Sequence, residues 1–162
     1  MITEFRQAVV PKELRSLAAF DHKVFKKPDW FPLGAWREYE SWWMIVNRTK
    51  VGCCAFEHHV DFLEDIGEAN PRREGSLYIS STGISPRFHG LGFGTLLKAW
   101  QVAYALQHRF TRIVTNMRES NLAIIRLNQN FNFKVIRTTP GYYGDPCEPT
   151  VVMAREVSSP AR

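Results

Sequence analysis

Hydrophobic and polar positions repeat with two different periods along this chain. Apolar residues recur at helical spacing over residues 11–25 and, most regularly, over residues 93–108, where Phe93, Leu96 and Trp100 fall on one stripe. Residues 76–85 alternate instead with the period of two that is typical of a strand. The pattern therefore predicts helices in the first two stretches and a strand in the third.

The same reasoning predicts the remaining elements. Pro11 suits the first position of its helix, and residues 48–50 separate two β-rich runs as a hairpin turn would. The further predicted strands cover residues 1–10, 41–47, 51–60, 112–116, 134–139 and 150–156, and a helix is predicted over residues 121–131. With a short helix inside residues 26–40, the order is β-α-α-β-β-β-α-β-α-β-β, an α/β or α+β mixture rather than strict βαβ repetition.

Composition and cysteine usage narrow the class of protein. The chain has 162 residues, of which 44% are hydrophobic and 23% charged, as expected for one packed domain; we expect that domain to cover residues 1–157 and residues 158–162 to form a flexible tail. Cys53 and Cys54 are adjacent and Cys147 is distant, so neither a disulfide framework nor a metal site is indicated. This cysteine usage favours a reducing cytoplasm.

The charge pattern bears on possible ligands. The formal net charge is +5, which suits an anionic ligand but equally fits an ordinary basic surface. Lysine and arginine are scattered, so we expect no nucleic-acid partner. No signal peptide and no apolar run of membrane-spanning length is visible, so we expect neither export nor a membrane partner.

Three alternating glycines, Gly90, Gly92 and Gly94, lie between the strand over residues 76–85 and the long helix. A helix N-terminus offers unpaired N–H groups and a partial positive charge, and glycines let a diphosphate approach the main chain. Thr95 adds a hydroxyl donor. The spacing fits neither the P-loop nor the dinucleotide fingerprint. The alternative is a tight turn that needs glycine for unusual φ angles.

This segment resembles the acetyl-CoA loop of the GNAT acetyltransferases, Arg/Gln-x-x-Gly-x-Gly/Ala after a strand of the form Val-x-Pro-x-Tyr. The corresponding residues here are Ile84-x-Pro86-x-Phe88 followed by His89-x-x-Gly92-x-Gly94. The later family motif Asn-x-x-Ala-Ile-x-Leu-Tyr-x-x-x-Gly-Phe is matched by Asn121-x-x-Ile124-Ile125-x-Leu127-Asn128-x-x-x-Asn132-Phe133. His89 departs from the family's Arg or Gln, and Asn132 replaces its Gly, as a left-handed helix C-terminus allows.

The resemblance implies a mixed, mostly antiparallel sheet of about six to seven strands flanked by about four helices, with acetyl-CoA as cosubstrate, no metal, and an amine acceptor that the sequence does not identify. A homodimer is a further expectation. By resemblance, the backbone of Ile84 pairs with pantetheine, and its N–H group is the candidate oxyanion donor. The implied cofactor-binding residues are Thr82, Ile84, His89, Gly90, Leu91, Gly92, Phe93, Gly94, Thr95, Asn121 and Asn128. Asn121 is equally well placed to cap its helix.

The candidate catalytic residues match the family pattern only in part. Tyr142 and Tyr143 look like a segment of the ribosomal-protein N-terminal acetyltransferases in which a loop lines the acceptor site, but Asn116 and Asn128 stand where that subclass has its Glu base and Tyr acid. Direct attack of the amine on the thioester needs a proton for the leaving thiolate, and either tyrosine could supply it. Candidate bases are Glu119, acting through water, and Glu57, His58 or His59 on the predicted third strand. Each also has an ordinary structural interpretation, as a wall residue, a helix-terminal acid or a solvated side chain.

The sequence leaves open whether the aromatic residues form an acceptor pocket and whether the protein is catalytic. Five aromatic residues in the first third suggest an apolar or aromatic acceptor pocket; they are Trp30, Phe31, Trp36, Trp42 and Trp43. For Trp42 and Trp43, positions in the core and on the sheet surface are a simpler explanation. The missing Glu and Tyr leave the alternative of a non-catalytic CoA or acyl-CoA sensor or scaffold, from which an acetyltransferase differs by turnover.

Overall fold

The computed structural model describes residues 1–57 and 75–157. These residues form two compact units. Unit 1 contains residues 1–57 and 80–97, and unit 2 contains residues 75–79 and 98–157. One strand and one helix begin in one unit and end in the other.

Unit 1 combines antiparallel strands with two helices and the start of a third. Its elements are β1 (Thr3–Gln7), α1 (Pro11–Val24), a 3₁₀ turn (Lys27–Asp29), α2 (Leu33–Glu38), β2 (Glu40–Val46), β3 (Thr49–Glu57), the last part of β4 (Ser76–Ile84), a second 3₁₀ turn (Pro86–Phe88) and the start of α3 (Phe93–Gln107). β2 pairs antiparallel with both β1 and β3. Asn47 and Arg48 both have positive φ, 46° and 67°, as a tight hairpin turn with right-handed twist requires.

The core of unit 1 lies between α1, α2 and the sheet. Leu17 and Trp36 are fully buried, and Trp43 of β2 is 1% exposed, so each contributes about 1.5–3 kcal/mol or more of apolar burial. Phe31 packs against this cluster while staying partly exposed. Pro11 is at the start of α1, as predicted, because the missing N–H costs nothing there.

Unit 2 combines one parallel and two antiparallel strand pairs. It contains the first part of β4, the rest of α3, β5 (Arg112–Arg118), α4 (Leu122–Asn130), β6 (Lys134–Gly144) and β7 (Cys147–Glu156). β4 pairs parallel with β5, and β7 lies antiparallel between β5 and β6. Tyr78, Val114 and Val152 from three neighbouring strands form its apolar cluster.

The predicted fold class and element order are confirmed: the described residues contain seven strands in a mixed, mostly antiparallel sheet, together with four α-helices. One prediction about local structure is wrong, because β6 continues to Gly144 and places Tyr142 and Tyr143 on a strand rather than in a loop. The break expected at Pro140 and Gly141 is absorbed by a register shift between Thr139 and Tyr143. Within the part that the structure describes, no helix is long and apolar enough to cross a bilayer.

Candidate active site

The glycine-rich segment of unit 1 forms an open, solvent-facing loop between β4 and α3. Gly90 and Gly92 have φ angles of +77° and +82°, a region that favours glycine. A side chain at either position would meet no atom within 4 Å, so the space above the main chain is open. The glycines therefore satisfy both descriptions made from the sequence: the turn needs their φ angles, and the backbone is accessible to a ligand.

α3 begins at Phe93, directly after this loop. The first N–H groups of any α-helix lack intrahelical acceptors, and together with the helix dipole they favour an anion. The first intrahelical bond seen at this end runs from Leu96 N to Gly92 O at 3.1 Å. The backbone N–H groups of Phe93, Gly94 and Thr95 are therefore the ones available to hold a diphosphate. Leu91 and Thr95 are exposed beside them.

The end of β4 is held in place by close backbone contacts. The Ser85 N–H donates to the Val51 carbonyl at 2.9 Å. A side chain at Gly52 on β3 would come within 2.8 Å of the Gly83 carbonyl and 2.6 Å of the Ile84 side chain, so glycine at position 52 permits this approach. Ile84, the candidate oxyanion donor, therefore lies in a tightly packed part of the strand.

His89 interacts with the same strand end. Its Nε2 lies 2.8 Å from the Ile84 carbonyl oxygen, and the His89 side chain is exposed. This contact bridges the 3₁₀ turn between Pro86 and Phe88 and links the loop to the strand. Thr82 is partly buried one residue before Gly83. The roles of Thr82, Ile84 and His89 toward a cofactor stay predictions.

A second polar group of residues lies in unit 2, on β4, β5, β6 and β7. The Tyr78 hydroxyl donates to Asn116 Oδ1. Asn116 Nδ2 donates to Thr150 Oγ1 at 3.0 Å and to the Tyr143 hydroxyl oxygen at 3.4 Å. We call these four residues the Asn116 cluster. The sequence pointed to Tyr143 as a candidate and to Asn116 only as the replacement of a Glu, and it gave no signal for Tyr78 or Thr150.

Tyr143 also contacts a charged pair. The Arg118 guanidinium lies 4.2 Å from the centroid of the Tyr143 ring and donates to Glu148 Oε1 at 2.9 Å. The Arg118 hydrogen bond, followed by that from the Ser120 backbone N–H, lowers the pKa of the Glu148 carboxyl. The Tyr142 ring meets the Tyr143 ring edge-on at 5.0 Å. The two predicted tyrosines are thus neighbours, and Tyr143 is the less exposed one.

The two asparagines of the α4 motif differ in their surroundings. The Asn121 side chain accepts from the Ile124 N–H at 3.3 Å, which confirms its interpretation as an N-cap. Asn128 is fully buried, with Nδ2 3.8 Å from the Met153 sulfur and 4.0 Å from the Met117 sulfur. Its Oδ1 has no hydrogen-bond partner among the described residues. A contact of either asparagine with the CoA arm stays a prediction.

The remaining candidate bases are Glu119, Glu57, His58 and His59. Glu119 is exposed directly after β5, and its backbone N–H donates to the Pro149 carbonyl at 3.2 Å. Glu57 is partly buried at the end of β3 in unit 1. His58 and His59 lie outside the residues that the structure describes. The roles of Glu119 and Glu57 in proton transfer stay predictions.

The aromatic residues of the first third divide into core and surface. Trp36 and Trp43 are buried in the core of unit 1, where their rings fill the space between helices and sheet. For Trp43 this is the simpler of the two explanations offered by the sequence. Trp30 stacks on His22 at 4.0 Å and donates to the Phe25 carbonyl at 2.8 Å. Trp42 donates to Glu40 at 2.8 Å. Trp30, Trp42 and Phe31 keep partial exposure.

A buried carboxyl in this region had no signal in the sequence. Asp21 of α1 is 0% exposed, and its Oδ2 accepts from the Phe31 N–H at 2.9 Å, while Oδ1 has no partner among the described residues. Burial raises the pKa of the Asp21 carboxyl from 3.8 to about 6, against the opposing effects of the Phe31 hydrogen bond and His22. Asp21 thus joins α1 to the segment between α1 and α2, where Phe31 lies.

Comparisons with a family model and with solved structures agree on the fold of this chain. The family model described as Acetyltransferase (GNAT) family matches residues 12–133. The ribosomal-protein-S18-alanine N-acetyltransferase of Escherichia coli is similar in structure, with a TM-score of 0.78 at 12% identity over 99% of this chain and 97% of that one. A NatC complex bound to Gag peptide and CoA gives 0.77 at 13% identity, covering 98% of this chain and 100% of that one. The loading GNATL domain of CurA from Lyngbya majuscula gives 0.79 at 12%, covering 96% and 98%.

Comparison with curated protein sequences gives no match. Among residues 1–57 and 75–157, no three His, Cys, Asp or Glu side chains are grouped as a metal site would require.

Proposed function

The chain belongs to the GNAT acetyltransferase family, and from this premise we propose that it transfers the acetyl group of acetyl-CoA to the primary amine of an acceptor, by direct attack in a ternary complex. The family match and the similar structures support acetyl transfer in general. The printed title of one similar structure names CoA as a ligand of that protein. The acceptor of this protein is a separate question, because fold and cofactor site say little about it.

The single observation that carries the proposal is the open main chain of Gly90 and Gly92 immediately before α3. Both residues adopt positive φ, and no atom occupies the position that a side chain would take. A diphosphate can therefore approach the backbone N–H groups at the start of α3, where the helix dipole favours negative charge. In acetyl-CoA, the pyrophosphate is the group that this arrangement fits.

The proposed chemistry needs few catalytic groups. The neutral amine attacks the thioester carbonyl, a C–N bond forms, the C–S bond breaks, and the thiolate takes up a proton while the new ammonium loses one to solvent. We propose the Ile84 N–H as the donor to the oxyanion and the Tyr143 hydroxyl as the proton donor to the thiolate. Tyr142, Glu119 and Glu57 are kept as secondary candidates for proton transfer.

Acetyl-CoA binding is the first part to test. A ligand present at a hundred times its dissociation constant stabilises the folded state by about 2.7 kcal/mol, which for a chain of this size raises the melting temperature by about 5–10 °C. We expect this rise with acetyl-CoA and CoA, and no comparable rise with NAD. The rise should disappear in Gly92→Val.

Gly141→Val is the matched control for the glycine variant. Gly141 also has a positive φ, +65°, and open space around it, but it lies on β6 outside the loop. Both variants place a β-branched side chain at a positive φ, but only Gly92→Val changes the loop, so only Gly92→Val should lose the ligand-induced rise. Absence of any rise in the wild-type protein at millimolar acetyl-CoA would contradict the proposal.

The second candidate function is a non-catalytic CoA or acyl-CoA sensor or scaffold. It is favoured by Asn116 and Asn128, which stand where the ribosomal-protein N-terminal acetyltransferases have a Glu base and a Tyr acid, respectively. Both candidates predict acetyl-CoA binding. Thiol release from acetyl-CoA across a panel of peptide amino termini, lysine, polyamines, amino acids and aminoglycosides separates them, because only an acetyltransferase shows acceptor-dependent release.

A further inference from the structure

The hydrogen bonds of the Asn116 cluster have a direction that can be assigned from Thr150. The Thr150 hydroxyl donates its single hydrogen to the Met117 carbonyl at 3.3 Å. Toward Asn116, Thr150 Oγ1 can then act only as an acceptor. The Asn116 atom 3.0 Å away must therefore be the amide nitrogen, and the amide oxygen faces Tyr78. The orientation of the amide follows from its neighbours.

This orientation determines how Tyr143 participates. The same NH₂ group lies 3.4 Å from the Tyr143 hydroxyl oxygen and donates to it. At this contact Tyr143 is an acceptor, so its own hydrogen is directed away from Asn116. A carboxylate at position 116 would do the opposite, because it can only accept and would take the Tyr143 hydrogen.

The side chains around Asn116 hold its amide in one orientation. Thr150 is 0% and Tyr78 3% exposed, so both ends of the amide are held by buried side chains. Two charged groups lie near the Tyr143 ring: the Arg118 guanidinium, 4.2 Å from the ring centroid, and the Glu148 carboxylate, which binds Arg118 at 2.9 Å. Tyr143 itself is only partly buried and so is accessible to a ligand.

We propose that Asn116 is a positioning residue: because its amide donates to the Tyr143 hydroxyl oxygen, Tyr143 does not spend its own hydrogen on residue 116. This inference rests on the proposed function and gives a role to the asparagine that stands where the resemblance places a Glu base. When the C–S bond breaks, the thiolate takes the Tyr143 hydrogen as a proton, and solvent returns a proton to the phenolate. Tyr78 and Thr150 act indirectly, because they bind the Asn116 amide and orient it.

Asn116→Asp is the sharpest variant, because it keeps the shape and reverses the polarity of the contact. We expect kcat to fall at least about tenfold, with the KM for acetyl-CoA unchanged within about twofold. The alkaline limb of the kcat profile should move to higher pH, because a carboxylate beside the phenol disfavours the phenolate. Asn130→Asp, the same change at an exposed position of α4, is the control and should leave all three quantities unchanged.

A double-mutant cycle with Tyr143→Phe separates positioning from a general structural role. If Asn116 acts through Tyr143, Asn116→Asp should cause no further loss of kcat in the Tyr143→Phe background. Independent, additive losses from the two substitutions would overturn the inference.

A measurement that needs no amine acceptor distinguishes a failure of this inference from a failure of the proposed function. The ¹³Cζ resonance of Tyr143, followed against pH by NMR, should show a titration midpoint higher by about one pH unit or more in Asn116→Asp than in the wild type. Equal midpoints would overturn the inference. A shifted midpoint in a protein that turns over no amine would overturn the proposed function, and with it the proton-donor role, but would leave the assigned hydrogen-bond direction intact.

Discussion

The His89 Nε2 lies 2.8 Å from the carbonyl oxygen of Ile84, five residues earlier in the chain. The contact joins the start of the glycine loop to the last residue of β4, whose N–H group is the proposed oxyanion donor. The family's usual Arg or Gln is replaced here by a side chain that interacts with the protein's own backbone. The histidine therefore has a structural task in shaping the loop.

We expect His89→Ala to weaken acetyl-CoA binding about two- to tenfold, because a typical hydrogen bond contributes about 0.5–1.5 kcal/mol net. His89→Gln keeps a side-chain N–H donor and should bind more tightly than His89→Ala. The dissociation constants can be measured by isothermal titration calorimetry.

His108→Ala provides the control for this comparison. His108 makes the same kind of contact, with Nδ1 2.9 Å from the Tyr104 carbonyl, but lies after the end of α3. Equal weakening by the two alanine variants would mean that His89 has no specific influence on the loop.

The stability of the protein should carry a pH dependence that comes from Asp21. Its pKa is raised from 3.8 to about 6 in the folded state, so the folded protein holds this proton more tightly than the unfolded chain. The stabilisation is complete below about pH 4 and is lost as pH rises through about 6, a total of about 3 kcal/mol. Asp21→Asn removes this titration while keeping the shape of the side chain.

Urea unfolding at about pH 4 and about pH 8 tests this prediction. Relative to Asp21→Asn, the wild type should lose about 2 kcal/mol of unfolding free energy between the two conditions. Asp145→Asn removes an exposed carboxylate and controls for the general effect of net charge. Parallel pH profiles of the wild type and Asp21→Asn would contradict the assigned pKa.

A substitution of Asn128 tests whether this residue serves the stability of the protein or the binding of acetyl-CoA. Its amide is fully buried, and Oδ1 has no hydrogen-bond partner in the described chain, so Asn128→Leu should raise the free energy of unfolding by about 1–3 kcal/mol. If Asn128 contacts the CoA arm, as the resemblance implies, the same variant should bind acetyl-CoA more weakly. Thermal unfolding with and without acetyl-CoA measures both effects; higher stability with unchanged affinity would make Asn128 a core residue only.

The local elements could be predicted from the sequence because their signals lie within a few residues. The apolar stripe of α3 and the alternation of β4 predicted those elements to within one residue at each end. Gly90 and Gly92 predicted the loop, since few other residues tolerate its φ angles. The extent of β6 was missed, because Pro140 and Gly141 favour a break while pairing with β7 extends the strand past them.

The Asn116 cluster could not be predicted in the same way. Tyr78 and Asn116 are 38 residues apart, and they meet because the parallel register sets Tyr78 opposite Val114, two residues before Asn116 on the same strand face. Similarly, nothing local distinguished Asp21 from an exposed helical acid until α1 was packed over Trp36 and Trp43. Burial and register depend on which strands and helices come together.

The order of the elements, the glycine loop before α3 and the family of the chain can be read from the amino-acid sequence, because they depend on short-range periodicity, backbone freedom and motif spacing. Three other features come from the folded arrangement: which tryptophans are core, which carboxyl is buried, and in which direction the amide of Asn116 donates. Burial, pKa values and hydrogen-bond direction depend on neighbours that the fold brings from distant parts of the chain.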